Sequence, residues 1–136
     1  MPSPLPRSQH PRRSAVRRAL ASFLVMLPLL VAAQINPKAE REITGLLQAV
    51  GKSGCQFIRA GTAYAADRAQ EHLNKKYEHM AARAMLASAE DFIVKAATRS
   101  SMTGEPYAMR CGEAPPQRCD EWLMVRLKVM RQAPPT

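Results

Sequence analysis

The sequence predicts a mainly α-helical fold, either a small bundle or an irregular domain of about four helices with one short extended segment. Three observations support this prediction. Apolar residues recur at helical spacing in four stretches, residues that start and end helices flank those stretches, and the links between them are short. Helices joined by short loops pack readily against one another as a bundle.

The first predicted helix begins at Asn36-Pro37 and ends at Ser53-Gly54. Asn caps helix N-termini, and Pro suits the first helical position because its missing N–H has no partner there in any case. Inside this stretch, apolar residues lie at i, i+3, i+4 and i+7: Ile43, Leu46, Leu47 and Val50. We expect this stripe to face the core.

Two further helices are predicted in the middle of the chain. The second runs from about Ala65 to Leu86, with an apolar side formed by Ala69, Leu73, Tyr77, Met80 and Ala84. Ser88 and Asp91 resemble a capping box and predict the start of a third helix, which ends near Arg99. Its buried side is predicted to consist of Phe92, Ile93, Ala96 and Ala97.

The remaining segments predict short extended pieces and a fourth helix. Residues 55–62 predict a turn or a brief extended piece, and the alternation over residues 106–111 predicts a short strand. The last helix spans about Asp120 to Gln132, and its wide apolar face predicts deep burial: Trp122, Leu123, Val125, Leu127, Val129 and Met130. Residues 133–136 predict a disordered tail.

Residues 1–33 have the features of a secretory signal peptide. A basic segment without acids precedes an uncharged apolar run from Ala19 to Ala33. The alternative is a membrane anchor, but a spanning helix needs about 20 apolar residues, and this run is shorter and contains Pro28. We therefore expect cleavage near Ala33/Gln34, export to the periplasm or beyond, no membrane span after cleavage, and a single helical domain over residues 34–132.

The charge balance argues against a nucleic-acid partner once the signal peptide is removed. The whole chain has a net charge of +9, from 20 basic and 11 acidic residues. Five of the basic residues lie in the signal peptide, which leaves 15 basic against 11 acidic residues and a net charge of +4. A mildly cationic exported domain is compatible with an anionic envelope surface, but it lacks the strongly basic character that is typical of nucleic-acid-binding domains.

The three cysteines, Cys55, Cys111 and Cys119, allow three alternative pairings. An exported protein enters an oxidising compartment, where a disulfide is expected to form. Cys55–Cys111 is favoured over the short Cys111–Cys119 loop because closing a longer loop removes more entropy from the unfolded chain.

No catalytic, cofactor or metal-binding motif is recognisable in the sequence. His72 and His79 are seven residues apart on one predicted helix, about 10 Å along its axis, which is too far for one zinc ion. Ser100 and Ser101 lack a nucleophile-elbow motif, although either could serve a hydrolase. Cys119 precedes a predicted helix, where the pKa of a thiol can be lowered, so a thiol-active protein is the other enzymatic alternative.

The second helix carries a cationic stripe, which consists of His72, Lys76, His79 and Arg83. Such a stripe can hold an anionic ligand or a partner. We favour a solvated face, because the neighbouring Glu71, Lys75 and Glu78 form the ordinary ion pairs of an exposed helix.

Four segments together resemble a family of small exported bacterial proteins known only as a domain of unknown function. They are SGCQFIRAG (53–61), AQEHLNKKY (69–77), SAEDFI (88–93) and TRSSMTGEPYAMRC (98–111). Cys55 and Cys111 both match the family pattern, which supports pairing them. Further matches are His72, Leu73, Lys76, Tyr77, Ser100, Ser101, Gly104 and Tyr107. Ala60 departs from the pattern, which has Asn before Gly61, and Cys119 is an additional cysteine.

These observations predict an exported, non-enzymatic module without a cofactor that binds an envelope partner or a small ligand. The predicted binding residues are Arg59, His72, Lys76, Tyr77, Ser100, Ser101 and Tyr107. A Cys55–Cys111 bridge would tether the 55–61 turn to the Tyr107 segment and so bring these residues together. The alternatives are the hydrolase or thiol protein described above, and a purely structural domain whose polar motifs only cap helices and turns.

Overall fold

The computed structural model describes residues 2–4 and 34–133, and the fold below is that of residues 34–133. Apart from residues 2–4, the predicted signal peptide lies outside the described residues, as do residues 134–136 of the predicted tail. The elements in chain order are α1 (Pro37–Lys52), β1 (Gln56–Arg59), β2 (Thr62–Tyr64), α2 (Ala66–Ala81), α3 (Ala89–Phe92) with a π-helical continuation (Ile93–Ala97), β3 (Ala108–Arg110), β4 (Gln117–Arg118) and α4 (Cys119–Gln132).

The prediction of a mainly α-helical bundle is wrong, because the helices are accompanied by a four-stranded antiparallel sheet. Its strand order is β2-β1-β3-β4. The strands are two to four residues long. The short strand predicted over residues 106–111 is present as β3, and the brief extended piece within residues 55–62 as β1, whereas β2 and β4 are too short for a period-two pattern to stand out in the sequence. They form by pairing with one another across the fold, and a sequence read locally does not show that pairing.

A disulfide joins the two central strands, as predicted. Gln56 pairs with Arg110 in the β1–β3 register, and Cys55 and Cys111 are the next pair outward. Their Cα atoms lie 4.3 Å apart, close to the spacing of a pair of facing residues in an antiparallel sheet. The bridge therefore fixes β1 against the segment that carries Tyr107. Cys119 is the free cysteine and is buried.

The turn between β1 and β2 has a strained residue. Arg59 pairs with Thr62, so the turn consists of Ala60 and Gly61, and both have positive φ, 46° and 76°. This is the geometry of a type I′ hairpin, for which Asn-Gly is favoured. Ala60 occupies the position where the resembled pattern has Asn, so this chain keeps the turn without its preferred residue.

The helix α1 supplies the first wall of the core, as its sequence predicts. The Asn36 side chain accepts a hydrogen bond from the Lys38 amide at 2.8 Å, and Pro37 occupies the first helical position. The predicted stripe is buried: Ile43, Leu46, Leu47 and Val50. It packs against α2, α3 and α4 in one core that also contains Phe57, Phe92 and Met109.

Helices α2 and α3 differ from the predicted boundaries. The helix α2 ends at Ala81 rather than near Leu86. Ser88 accepts a hydrogen bond from the Asp91 amide at 3.1 Å, so it caps α3 as predicted, but the Asp91 carboxylate accepts from the Ala87 amide instead of the Ser88 amide. After one turn, α3 widens into the π-helical segment. The predicted apolar side is buried in both parts: Phe92, Ile93, Ala96 and Ala97.

The helix α4 buries a narrower face than predicted. Leu123 and Leu127 are buried together with Cys119, whereas Val125 and Val129 are 61% and 51% exposed. Only the residues facing α1 and the π-helical segment are covered, because α4 lies on the outside of the core. None of the helices in the described part of the chain has the length and hydrophobicity needed to span a bilayer.

Candidate functional site

Tyr107 stands at the centre of a polar cluster. Its hydroxyl oxygen lies 3.0 Å from His72 Nε2 and 3.5 Å from Lys76 Nζ. The Lys76 ammonium also donates to the Arg99 carbonyl at 3.3 Å and lies 5.2 Å from the centre of the Tyr107 ring. His72 and Lys76 are one turn apart on α2, and this spacing directs both side chains to the same phenol.

The backbone around Tyr107 holds the phenol in place. The Tyr107 amide donates to the Thr98 carbonyl, and the Tyr107 carbonyl accepts from the Cys119 amide, both at 3.0 Å. The ring is buried, with 6% of the residue exposed. These bonds fix the Tyr107 backbone, and the burial of the ring restricts the positions that its hydroxyl can take.

Arg59 is the fourth member of the cluster and comes from the sheet. It is the last residue of β1, and its guanidinium contacts the Met102 sulfur at 3.5 Å. Within residues 34–133, neither Arg59 nor Lys76 forms a salt bridge with an acidic side chain. We call Arg59, His72, Lys76 and Tyr107 the polar cluster.

Beside the polar cluster lies a cavity of about 300 Å³, which we call the site cavity. Phe57 and Arg59 are two residues apart on β1, so both side chains lie on the same face of the strand. The apolar lining comes from Phe57, Ile58, Tyr64, Ala69, Leu73 and Cys119, and the polar lining from Arg59, Arg68, Glu71, His72, Lys75 and Tyr107. The lining is predominantly apolar with several polar groups, as in small-molecule sites.

The environment shifts the pKa of three members of the polar cluster. Burial, followed by the positive charges of Arg59, Lys76 and Lys75, lowers the pKa of His72 below its ordinary 6.5. Burial and then Arg59 lower the pKa of Lys76. Burial raises the pKa of Tyr107, and Cys119 adds to this effect, while Arg59 and the Ser100 hydroxyl oppose it. His72 therefore favours its neutral form, and the site concentrates positive charge.

A second, more open groove of about 390 Å³ lies along α2, and it shares His72 and Lys75 with the site cavity. Its full lining is His72, Lys75, Lys76, His79, Met80, Met85 and Ser101. The four residues of the cationic stripe have two different environments. His79 and Arg83 are exposed and contact each other at 3.0 Å, which fits the predicted solvated face. His72 and Lys76 instead turn inward to Tyr107, so that interpretation is wrong for them.

The structure brings four of the seven predicted binding residues together in the polar cluster. Ser100 lies behind it with 1% of the residue exposed, and its hydroxyl accepts from the amides of Met102 and Thr103 at 3.3 and 3.4 Å. Ser101 is exposed and lines the open groove. Tyr77 belongs to neither cavity, because its ring packs edge-on against Phe92 with centroids 6.1 Å apart.

The geometry gives little support to the enzymatic alternatives. A buried Ser100 that accepts hydrogen bonds from two backbone amides is a turn residue, and its hydroxyl forms no hydrogen bond with a histidine or a carboxylate among residues 34–133. Burial, and then Asp120, raise the pKa of Cys119 to about 12, so the thiol lacks the exposure and lowered pKa that a reactive cysteine requires. Among the described residues, no group of three or more His, Cys, Asp or Glu side chains could hold a metal ion.

Sequence reasoning missed the residues that form the cavity wall on the sheet side. Phe57, Tyr64 and Arg68 line the site cavity but do not stand out in the sequence. The available signal was the pair Phe57 and Arg59, which alternate just before a Gly-containing turn and so predict a hairpin strand with both side chains on one face.

Comparison with known protein families matches residues 37–131 to a family described as "Family of unknown function (DUF5329)". The chain belongs to this family. The resemblance to a domain of unknown function is thereby confirmed. A curated relative, "Uncharacterized protein YfeK" of Salmonella typhimurium (strain LT2), is 36% identical over 90 residues, which cover 65% of this chain and 72% of that protein. No solved structure matched the chain.

Proposed function

We propose that this member of the family is an exported, non-enzymatic module that binds a small ligand in the site cavity. The observation that carries the proposal is the polar cluster at the edge of an apolar cavity. Two cationic side chains, a histidine and a phenol converge there from α2, from β1 and from the segment before β3. A few polar groups that converge on an apolar cavity are the usual composition of a ligand site.

A purely structural role accounts less well for the polar cluster. Removing cationic groups from water without an acidic partner costs free energy, and the lowered pKa values of His72 and Lys76 express that cost. A domain that needed only a stable core would be better served by apolar residues at these positions. Binding sites retain such unfavourable arrangements because the ligand uses them.

The size of the site cavity favours a small ligand over a protein partner. A protein interface of standard size buries roughly 800 Å² on each partner, whereas the site cavity has the volume of a small-molecule site. The open groove beside it provides a route by which a ligand can reach the polar cluster, because His72 and Lys75 line both spaces.

Ligand binding is tested by thermal-shift screening of the purified, oxidised protein with small metabolites of positive, negative and zero charge. A ligand present at 100 times its Kd stabilises the fold by about 2.7 kcal/mol. We expect hits whose affinity falls by about tenfold or more in Lys76→Gln or Tyr107→Phe, since each substitution removes a hydrogen-bonding group. Lys128→Gln, on the exposed side of α4, is the control and should keep wild-type affinity. Hits of equal strength in all four proteins would contradict the proposal.

The proposed export is supported by the basic and apolar segments of residues 1–33 and by the Cys55–Cys111 disulfide, since such bonds persist in oxidising compartments. Intact-mass analysis of the protein recovered from a bacterial periplasm tests it. We expect a chain that begins at Gln34 and carries one disulfide. An unprocessed chain in the cytosolic fraction, with all three thiols reduced, would contradict this part of the proposal.

A further inference from the structure

The charges that line the site cavity are unevenly balanced. Arg68 and Lys75 share Glu71, at N–O distances of 3.0 and 2.8 Å, so these three side chains are paired with one another and carry a net charge of +1. Arg59 lines the same cavity, and within the described chain the one hydrogen-bond contact of its guanidinium is the neutral Met102 thioether at 3.5 Å. Among the described residues, this guanidinium therefore has no anionic partner.

The groups around this guanidinium add positive charge and hydrogen-bond donors. Lys76 lies behind the Tyr107 hydroxyl, and its contacts there, the Arg99 carbonyl and the Tyr107 side chain, are uncharged. His72 lines the same cavity as Arg59, and the positive charge of Arg59 lowers the pKa of both His72 and Lys76. An anion bound between them would reverse this effect and would receive donors from a guanidinium and a phenol.

The rest of the lining restricts what can accompany the negative charge. Phe57, Leu73 and Ala69 are buried core residues that form the inner wall. A sugar or an inorganic anion would place polar groups against this wall without hydrogen-bond partners, which is unfavourable. A volume of about 300 Å³ is at the lower end of the range for ligand pockets, so the ligand is small.

We infer that the site binds a small amphiphilic monocarboxylate. Its carboxylate would lie on the Arg59 guanidinium beside the Tyr107 hydroxyl, and its apolar ring or short chain would lie against Phe57 and Leu73. The carboxylate would supply the acidic partner that the Arg59 guanidinium lacks in the described chain. This inference rests on the proposed function and names the class of ligand for the same site.

Isothermal titration of the purified, oxidised protein with three probes tests the inference. Phenylacetate carries both features, 2-phenylethanol carries the apolar body without the charge, and acetate carries the charge without the body. We expect phenylacetate to bind at least about tenfold more tightly than 2-phenylethanol, and acetate to show no saturable binding at the same concentrations.

Two variants assign the charge to its residue. Arg59→Gln should weaken phenylacetate about tenfold or more and leave 2-phenylethanol unchanged. Arg83→Gln removes an exposed guanidinium outside the site cavity and should keep wild-type affinity. Thermal melting of each variant confirms that it is folded.

The possible failures are distinguishable. The inference is overturned if 2-phenylethanol binds as tightly as phenylacetate, if Arg59→Gln has no effect, or if none of the three probes binds. The proposed function survives these results when the thermal-shift screen yields a neutral or cationic ligand whose affinity depends on Tyr107. It fails as well when no compound of any charge binds.

Discussion

The turn between β1 and β2 permits a prediction of increased stability. Ala60 and Gly61 both have positive φ, and a left-handed conformation costs an L-residue with a Cβ about 1–2 kcal/mol. Asn tolerates this conformation because its short side chain forms local hydrogen bonds. Ala60→Asn should therefore recover part of the cost and raise the free energy of unfolding by about 0.5–1 kcal/mol.

Urea denaturation followed by the fluorescence of Trp122, the single tryptophan, measures the effect. For an m-value of about 1.5 kcal/mol/M, the midpoint should rise by about 0.3–0.7 M. Gly61→Ala is the converse variant. An added Cβ at Gly61 meets no atom within 4 Å, so its cost of about 1–2 kcal/mol comes from the backbone alone. An unchanged or lower midpoint for Ala60→Asn, together with a neutral Gly61→Ala, would refute the assigned turn geometry.

Three further predictions concern the disulfide, a histidine and the free thiol. Replacing Cys55 and Cys111 together by Ala should lower the free energy of unfolding by about 4 kcal/mol, because the bridge spans 56 residues of chain; equal urea midpoints for the variant and the oxidised protein would contradict this. The pKa of His72 lies below 6.5 in the folded protein. Between the folded and the unfolded pKa of this histidine, the unfolded chain therefore binds more protons than the folded chain. The stability that His72 provides above its unfolded pKa is consequently lost as the pH falls through its folded pKa. His72→Gln should accordingly flatten the decline of the urea midpoint between about pH 7.5 and about pH 5, whereas a His79→Gln control that flattened it equally would count against this assignment. Burial raises the pKa of Cys119 to about 12, so iodoacetamide at neutral pH should label it only in denaturant, and rapid labelling of the native protein would argue against its burial.

The helical part of the fold could be predicted because its signals are local. The stripe of α1 repeats over two turns between an Asn-Pro start and a Ser-Gly end, and the structure has the helix at that place. The sheet could not be predicted in the same way. A strand of two residues such as β4 has no period, and it exists because β3 pairs with it. The breadth of the apolar face of α4 was misleading, since none of the elements within residues 34–133 covers Val125 and Val129.

The candidate site was predictable in its membership more than in its geometry. Lys76 and Tyr77 are adjacent in the sequence, but successive residues of a helix point about 100° apart, so Lys76 meets Tyr107 while Tyr77 packs on Phe92. Cys119 is the first residue of α4, one residue before the predicted start at Asp120. The effect of burial on its thiol nevertheless exceeds that of the helix dipole, and this balance depends on packing that the sequence does not reveal.

The site cavity next to the polar cluster is the expected position of a bound monocarboxylate. Nuclear magnetic resonance of the 15N-labelled, oxidised protein, with phenylacetate as the titrant, reports which residues the bound carboxylate contacts. The expected result is saturable amide shifts confined to residues 57–59, 69–76 and 107, which are lost in Arg59→Gln. Shifts that concentrate on α4, or that spread evenly without saturation and persist in Arg59→Gln, would contradict it.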